Sequence, residues 1–293
     1  MPRRRPLLAA VGTALATAGC LVDDGSPGTD RRDTQSDSLD PGTTGTPPSD
    51  DPRPFSETLD VGDLRVRLSG PAVQHSFLHL VQPDTMGVKA LDGRQFVFVG
   101  VGVEGEPRPA AEDVSLLVDG ESVAGWTSYG HRSPYSVGVA TGNGRPYSAD
   151  GEDGWVGFDV PAPVSDDPRL RFSVDGGRAT TSLPDRAVEA LRTPPPSFSV
   201  SEFSAPDSVG PDEPIPVSAT VTNEGDGPGS FRASLNQLGP MYGPGPVEVA
   251  LGAGESERWE ESITVHRGLN DVEEVRFAFV TADDEYARTV VVD

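Results

Sequence analysis

The residues able to do chemistry are few, and their spacing is the first thing to weigh. The chain has four histidines, His75, His79, His131 and His266. His75 and His79 are four apart and would share a face on a helix or a strand, but zinc needs one or two further ligands. Neither His131 nor His266 stands at a metal-site spacing, so the histidines read as ordinary strand or loop residues. Gly100-Val101-Gly102-Val103-Glu104-Gly105 fits GxGxxG. A dinucleotide site needs a helix N-terminus behind those glycines, and Pro107 and Pro109 forbid one. Asp150-Gly151-Glu152-Asp153-Gly154 and Asn223-Glu224-Gly225-Asp226-Gly227 are acidic turns of the kind that hold calcium. Neither has EF-hand spacing, and solvated turns are the plainer reading. No GxSxG elbow is present. The sequence therefore predicts no catalytic residue, no cofactor and no metal, and a protein that is not an enzyme.

Recognition chemistry has one better candidate. Trp126 to Trp155 holds Tyr129, His131, Arg132, Tyr135 and Tyr147 among glycines and serines. Such loops suit ligand binding, because aromatic rings give contact area at low entropy cost. The competing reading is a long connection whose aromatics pack over a sandwich end. Met241-Tyr242, between glycines and prolines, is a smaller candidate of the same kind.

Cys20 is the only cysteine among the 293 residues. It follows a basic start, Arg3-Arg4-Arg5, and an apolar stretch from Leu7 to Ala18. That is the layout of an export signal, and the stretch is too short to span a bilayer. Arg4-Arg5-Pro6-Leu7-Leu8 resembles a twin-arginine signal. Thr17-Ala18-Gly19-Cys20 resembles a lipobox, with Thr17 in place of the usual aliphatic residue. The resemblance implies cleavage before Cys20, lipidation of its thiol, and anchoring at the extracellular face of the cell membrane. Residues 1–19 are thus expected to be the export signal. Residues 20–54 carry the lipidated cysteine and a linker. From Asp23 to Pro54 the only large apolar residue is Leu39, too little to bury, so this segment is expected to be disordered. A coil of that length has an r.m.s. span of roughly 30 Å.

Composition narrows the partners. The formal net charge is −23, and Lys89 is the only lysine. Nucleic acid is a poor partner for such a surface. In dilute buffer the acidic groups repel one another; at 1 M salt the Debye length falls to about 3 Å and screens them. The acidic, lysine-poor balance resembles proteins of extreme halophiles such as haloarchaea. The partners expected are the membrane, through the N-terminal lipid, and a protein or glycan at the cell surface.

The elements that would position these residues are strands. Leu64, Val66 and Leu68 alternate with Arg65 and Arg67, and Val97, Val99, Val101 and Val103 share one face. Val114–Val118, Val156–Val160 and Leu170–Val174 repeat the pattern, which marks half-buried strands. Asp185 to Leu191 fits a short helix. Pro194-Pro195-Pro196 reads as a stiff spacer between domains. Beyond it, Ile215–Val221, Phe231–Leu235, Val247–Leu251, Trp259–Val265, Val275–Phe279 and Tyr286–Val292 follow an opening strand at Phe198 and Val200. The fold class expected is all-β, with two immunoglobulin-like sandwiches at 55–193 and 197–293.

Two resemblances sharpen this. Ile215-Pro216-Val217-Ser218-Ala219-Thr220-Val221-Thr222-Asn223-Glu224-Gly225-Asp226, with Gly229-Ser230-Phe231 and Leu251-Gly252-Ala253-Gly254-Glu255-Ser256, resembles a CARDB domain. That family comprises adhesion-related immunoglobulin-like modules of bacterial and archaeal surfaces. Gly93-Arg94-Gln95-Phe96-Val97-Phe98-Val99, Leu117-Val118-Asp119-Gly120 and Gly157-Phe158-Asp159-Val160-Pro161 resemble a telokin-like family of lipoprotein domains of unknown function. Neither resemblance implies a catalytic residue. Three functions stay open: surface binding or adhesion through sandwich loops; a structural spacer or accessory subunit of an envelope or transport complex; and a hydrolase with a dispersed site.

Overall fold

Alternation decides the elements. In β2 (Leu64–Gln74), Leu64, Val66 and Leu68 are buried while Arg65 and Arg67 face solvent, as a half-buried strand requires. The computed structural model describes residues 57–130, 134–135, 144–211, 213–264 and 272–293. Among them the fold is all-β, with one α-helix, α1 (Asp185–Arg192), and a 3-10 turn at Ala111–Asp113. The signal, Cys20 and the linker lie outside the described residues, as do His131, Arg132 and His266.

The first sandwich packs two four-stranded sheets. One runs β1 (Thr58–Val61), β2, β5 (Arg94–Glu104), β8 (Gly154–Pro161). The other runs β10 (Gly177–Ser182), β9 (Arg169–Val174), β6 (Val114–Val118), β7 (Glu121–Ala124). Val97, Val99, Val101, Val114, Leu116, Val156, Phe158, Leu170 and Phe172 fill the space between them. α1 closes one end by burying Ala187 and Leu191.

The second sandwich packs a three-stranded sheet, β11 (Phe198–Ser204), β13 (Ile215–Asn223), β16 (Ser256–Ile263), against a five-stranded one. The latter runs β12 (Ser208–Val209), β18 (Glu285–Val292), β17 (Glu274–Val280), β14 (Gly229–Gly239), β15 (Tyr242–Leu251). Its core holds Ile215, Val217, Val221, Phe231, Val249, Phe277 and Phe279 and shares no residue with the first.

Several short strands, β1, β7, β10 and β12 among them, escaped the sequence pattern, and so did a whole hairpin. β3 (Ser76–Gln82) and β4 (Thr85–Ala90) form a hairpin that projects from the ends of β2 and β5. It packs against β14, β15 and β17 of the second sandwich.

Candidate functional site

Trp126, Tyr129, Tyr147 and Trp155 turn inward. β5 is buried on both faces: its valines enter the main core, while Phe96 and Phe98 point to the other side. There they meet Phe77 and Trp155, all four with no exposed surface. Trp126 and Tyr129 pack over this cluster, with the Trp126 ring 5.6 Å from Phe98 and 5.9 Å from Trp155. Trp126 comes this close because Gly157 of β8 has no side chain; a Cβ there would lie 2.8 Å from the indole. Lys89 sits 5.3 Å over the Tyr129 ring. These aromatics cover the outer face of a strand that would otherwise expose two phenylalanines.

Tyr147 is buried as well. Its hydroxyl donates to Pro109 O at 2.8 Å, and the Arg108 guanidinium lies 5.3 Å over its ring. Of the proposed contact residues, Tyr135 alone is well exposed among the described ones.

The GxGxxG stretch is an edge of packing, with no helix behind it. The glycines lie in β5 and its exit. A Cβ on Gly102 would come within 2.7 Å of the Asp153 carboxylate, so glycine leaves room for that group. Asp153 accepts from Arg108 at 3.0 Å, Val103 N at 3.2 Å and Arg67 at 3.3 Å. Burial pushes the Asp153 carboxyl up, but Arg108, Val103 N–H and Arg67 together outweigh this and hold it below its usual range. The acidic turn at 150–154 thus places its key carboxylate among arginines.

The second acidic turn is structural in a different way. Asn223 is fully buried. Its Oδ1 accepts from Ser197 N at 3.2 Å and Gly225 N at 3.1 Å, and its Nδ2 donates to Gly227 O at 2.8 Å and Gly252 O at 3.0 Å. Glu224 N adds a bond to Ser197 O at 2.7 Å. The proline run lies against this turn so closely that a Cβ on Gly227 would meet Pro194 O at 1.8 Å. The spacer read from Pro194-Pro195-Pro196 is therefore clamped to the second sandwich.

A second clamp ties the sandwiches at the hairpin. On β14, Phe231, Ala233 and Leu235 face the core, so Arg232, Ser234 and Asn236 face outward; yet all three are buried. The hairpin covers them. Asn236 Oδ1 accepts from Met86 N at 3.0 Å and its Nδ2 donates to Met86 O at 2.8 Å, so one side chain completes the free edge of β4. Arg232 donates to Ser76 O at 3.0 Å and to Glu248 at 2.7 Å. Beside it stands His75, whose imidazole is lowered to a pKa of about 4 by burial first and by the Arg232 charge second. A cavity of about 600 Å³ opens here, lined by Gln74, His75, Arg186, Glu189, Ser230 and Arg232.

His79 is buried within the hairpin, and Gly87 leaves space for its ring. His75 and His79 belong to different surroundings, and among the described residues no group of three or more His, Cys, Asp or Glu is placed to hold a metal ion. The turn at Met241-Tyr242 is exposed. The sequence does not announce the junction residues Arg232, Ser234 and Asn236. Their only signal is three polar residues at period two on the outward side of a strand, which solvent-facing residues also give.

No known family model matches the chain, and no curated protein matches it. Among solved structures, partial likenesses include a β-glucosidase from Listeria innocua in complex with isofagomine and a mutant β-glucosidase from the same organism in complex with laminaribiose. Each is 20% identical with a TM-score of 0.28, covering 33% of this chain and 16% of that one. This chain thus spans about a sixth of the enzymes' length, and a likeness of that extent carries no functional argument.

Proposed function

We propose that the chain is an exported, lipid-anchored surface protein that serves as a rigid accessory or spacer module of the cell envelope. The observation that carries this reading is the junction. A stripe of three polar residues, Arg232, Ser234 and Asn236, lies buried under the β3–β4 hairpin, which favours two sandwiches that move as one body. The burial of Tyr147 and the packing of Trp126 and Tyr129 over the Phe77–Phe96–Phe98–Trp155 cluster argue in the same direction, since they reduce the aromatic surface that loop recognition would use. The Thr17-Ala18-Gly19-Cys20 box supports the anchor, the acidic, lysine-poor composition supports a halophilic setting, and the telokin-like and CARDB-like stretches support a surface role.

Crosslinking on intact cells, followed by identification of captured proteins, tests the role. A recurrent envelope complex is expected; capture of no partner beyond random neighbours rejects the accessory reading. Replacing Cys20 by serine tests the anchor. Loss of a lipid-shifted N-terminal mass together with weaker membrane retention is expected, and a parent chain whose N-terminal peptide carries no lipid mass counts against lipidation.

Adhesion through loops is the second reading, favoured by exposed Tyr135. It requires that Tyr135→Ala abolish attachment of the chain to a protein or glycan surface while melting stays unchanged.

A further inference from the structure

Six large apolar side chains stand exposed among the described residues: Leu80, Val81, Tyr135, Met241, Tyr242 and Val291. Five of them stand on segments that the hydrogen bonds below align in one direction. Leu80 and Val81 lie at the far end of β3, and Tyr135 is held beside that strand by its N–H on Leu78 O at 2.7 Å. Met241 and Tyr242 lie where β14 turns into β15. Two contacts align these segments. Arg232 bonds Ser76 at the base of the hairpin, and Asn236, four residues on, bonds Met86 near its tip. The hairpin and β14 therefore run out in the same direction, and both turns end on the same side of the molecule.

The shape of this end narrows what covers it. The residues stand on three separate projecting segments and do not line a groove. A rigid partner surface would bridge such tips and leave voids, whereas a fluid apolar phase fills the space between them. Tyr135 and Tyr242, 57% and 61% exposed, each join an apolar ring to a hydroxyl that stays hydrated, a combination suited to a membrane–water boundary. Residues 80–85 and 239–242 contain no basic side chain; Arg276 beside Gly239 and Asp84 in the hairpin turn carry opposite charges, so the end has no excess positive charge and a zwitterionic surface suits it.

The path of the chain supplies an independent argument. β1 runs antiparallel to β2, and the ladder continues one residue upstream, where Leu68 N donates to Glu57 O at 2.8 Å. The chain thus enters β1 from the His75 end of β2, the end from which β3 continues to the hairpin tip. Fully extended, the segment from Cys20 to Glu57 spans about 120 Å. From Leu68 to the tip is roughly 50 Å of strand. A lipid on Cys20 and the apolar tips can therefore reach one bilayer.

We propose that this apolar end seats on a lipid surface as a second attachment beside Cys20. The idea rests on the lipidated reading of Cys20: the lipid retains the chain, and the tips fix which end of the two-sandwich unit meets the bilayer. The tips bind reversibly by themselves, and the lipid makes the attachment lasting.

The test uses the full chain carrying Cys20→Ser, which has no lipid, floated with phosphatidylcholine vesicles in molar salt. Co-flotation is expected. Leu80→Ser, Tyr135→Ser and Tyr242→Ser combined should cut the bound fraction about tenfold or more, with melting unchanged because all three are exposed. Val291→Ser, on β18, should leave binding unchanged. A Cys20→Ser chain that does not float, or a triple variant that floats like its parent, overturns the proposal. So does a dimer of the Cys20→Ser chain that the triple variant abolishes, which would assign the tips to a second copy. Lipidation is read separately, from the lipid-shifted mass of the mature N-terminal peptide in the parent chain and its loss in Cys20→Ser, so either idea can fail alone.

Discussion

The Asn223 side chain gathers three strands of backbone around one amide. It accepts from the linker at Ser197 and from Gly225, and it donates to Gly227 and Gly252. With no exposed surface, those partners have no water to replace it. Asn223→Ala should therefore destabilise the second sandwich by about 2–4 kcal/mol, since several buried groups lose their partner together; denaturant titration checks this, and a loss within 0.5 kcal/mol would contradict the clamp. His75 makes a prediction about pH. Its folded pKa of about 4 lies below the ordinary 6.5, set first by burial and then by Arg232. The unfolded chain binds the proton more readily, so His75 lowers stability as pH falls from about 6.5 towards 4. Between pH 7 and pH 5 this should amount to on the order of 1–2 kcal/mol after allowing for solvent screening. The other charged groups facing His75 are Arg186 and Glu189 of α1, Arg232 of β14 and, through Arg232, Glu248 of β15; Asp92, Arg94, Asp283 and Asp284 line the opposite side. His75→Gln should flatten the acid-side slope relative to the parent. Equal slopes in melting followed over that range would show that His75 titrates normally.

At the scale of elements, alternation made the main strands readable. The valines of β5 and the Leu/Val sets of β2, β6 and β9 lie where period two puts them, because one face of each meets a core. It failed where a second cover exists. Phe96 and Phe98 share β5 with those valines, and their cover, Trp126 and Tyr129, comes from a segment whose glycines and serines resemble a binding loop. The β3–β4 hairpin failed for a different reason. Its partner residues Arg232, Ser234 and Asn236 are polar and face outward, so they look solvated, and they lie some 150 residues from Ser76 and Met86. Nothing local announces a contact at that separation. The hairpin also yields a prediction about the docking itself. Asn236→Ala removes both bonds to Met86 and leaves its N–H and C=O without them. Hydrogen exchange at β4 should rise by one to two orders of magnitude, consistent with a loss of about 1–3 kcal/mol. Exchange in β13 and β17 should hold, because their core is untouched. Uniform acceleration across both sandwiches would mean that the hairpin is integral to folding and not a docked element.

At the scale of the whole molecule, charge is the governing term. The chain carries 46 acidic and 23 basic residues, and much of β16, with Glu257, Glu260 and Glu261, faces solvent. At 0.01 M salt the Debye length is about 30 Å, so like charges on the two sandwiches interact; at 1 M it is about 3 Å and they do not. Salt also weakens favourable pairs, but the exposed ones here, such as Arg65–Asp60 and Arg258–Glu260, are worth about 0–1 kcal/mol each. The more buried Arg232–Glu248 pair is screened less. Relief of repulsion therefore outweighs the loss of pairing, and stability should climb from dilute buffer to molar salt. The expected result is a melting midpoint that rises by about 10 °C or more between 0.05 M and 2 M sodium chloride, with potassium chloride giving the same curve because screening depends on ionic strength. A flat response would mean that the acidic surface imposes no net strain on the fold, and the halophilic setting inferred from composition would then lose its physical basis.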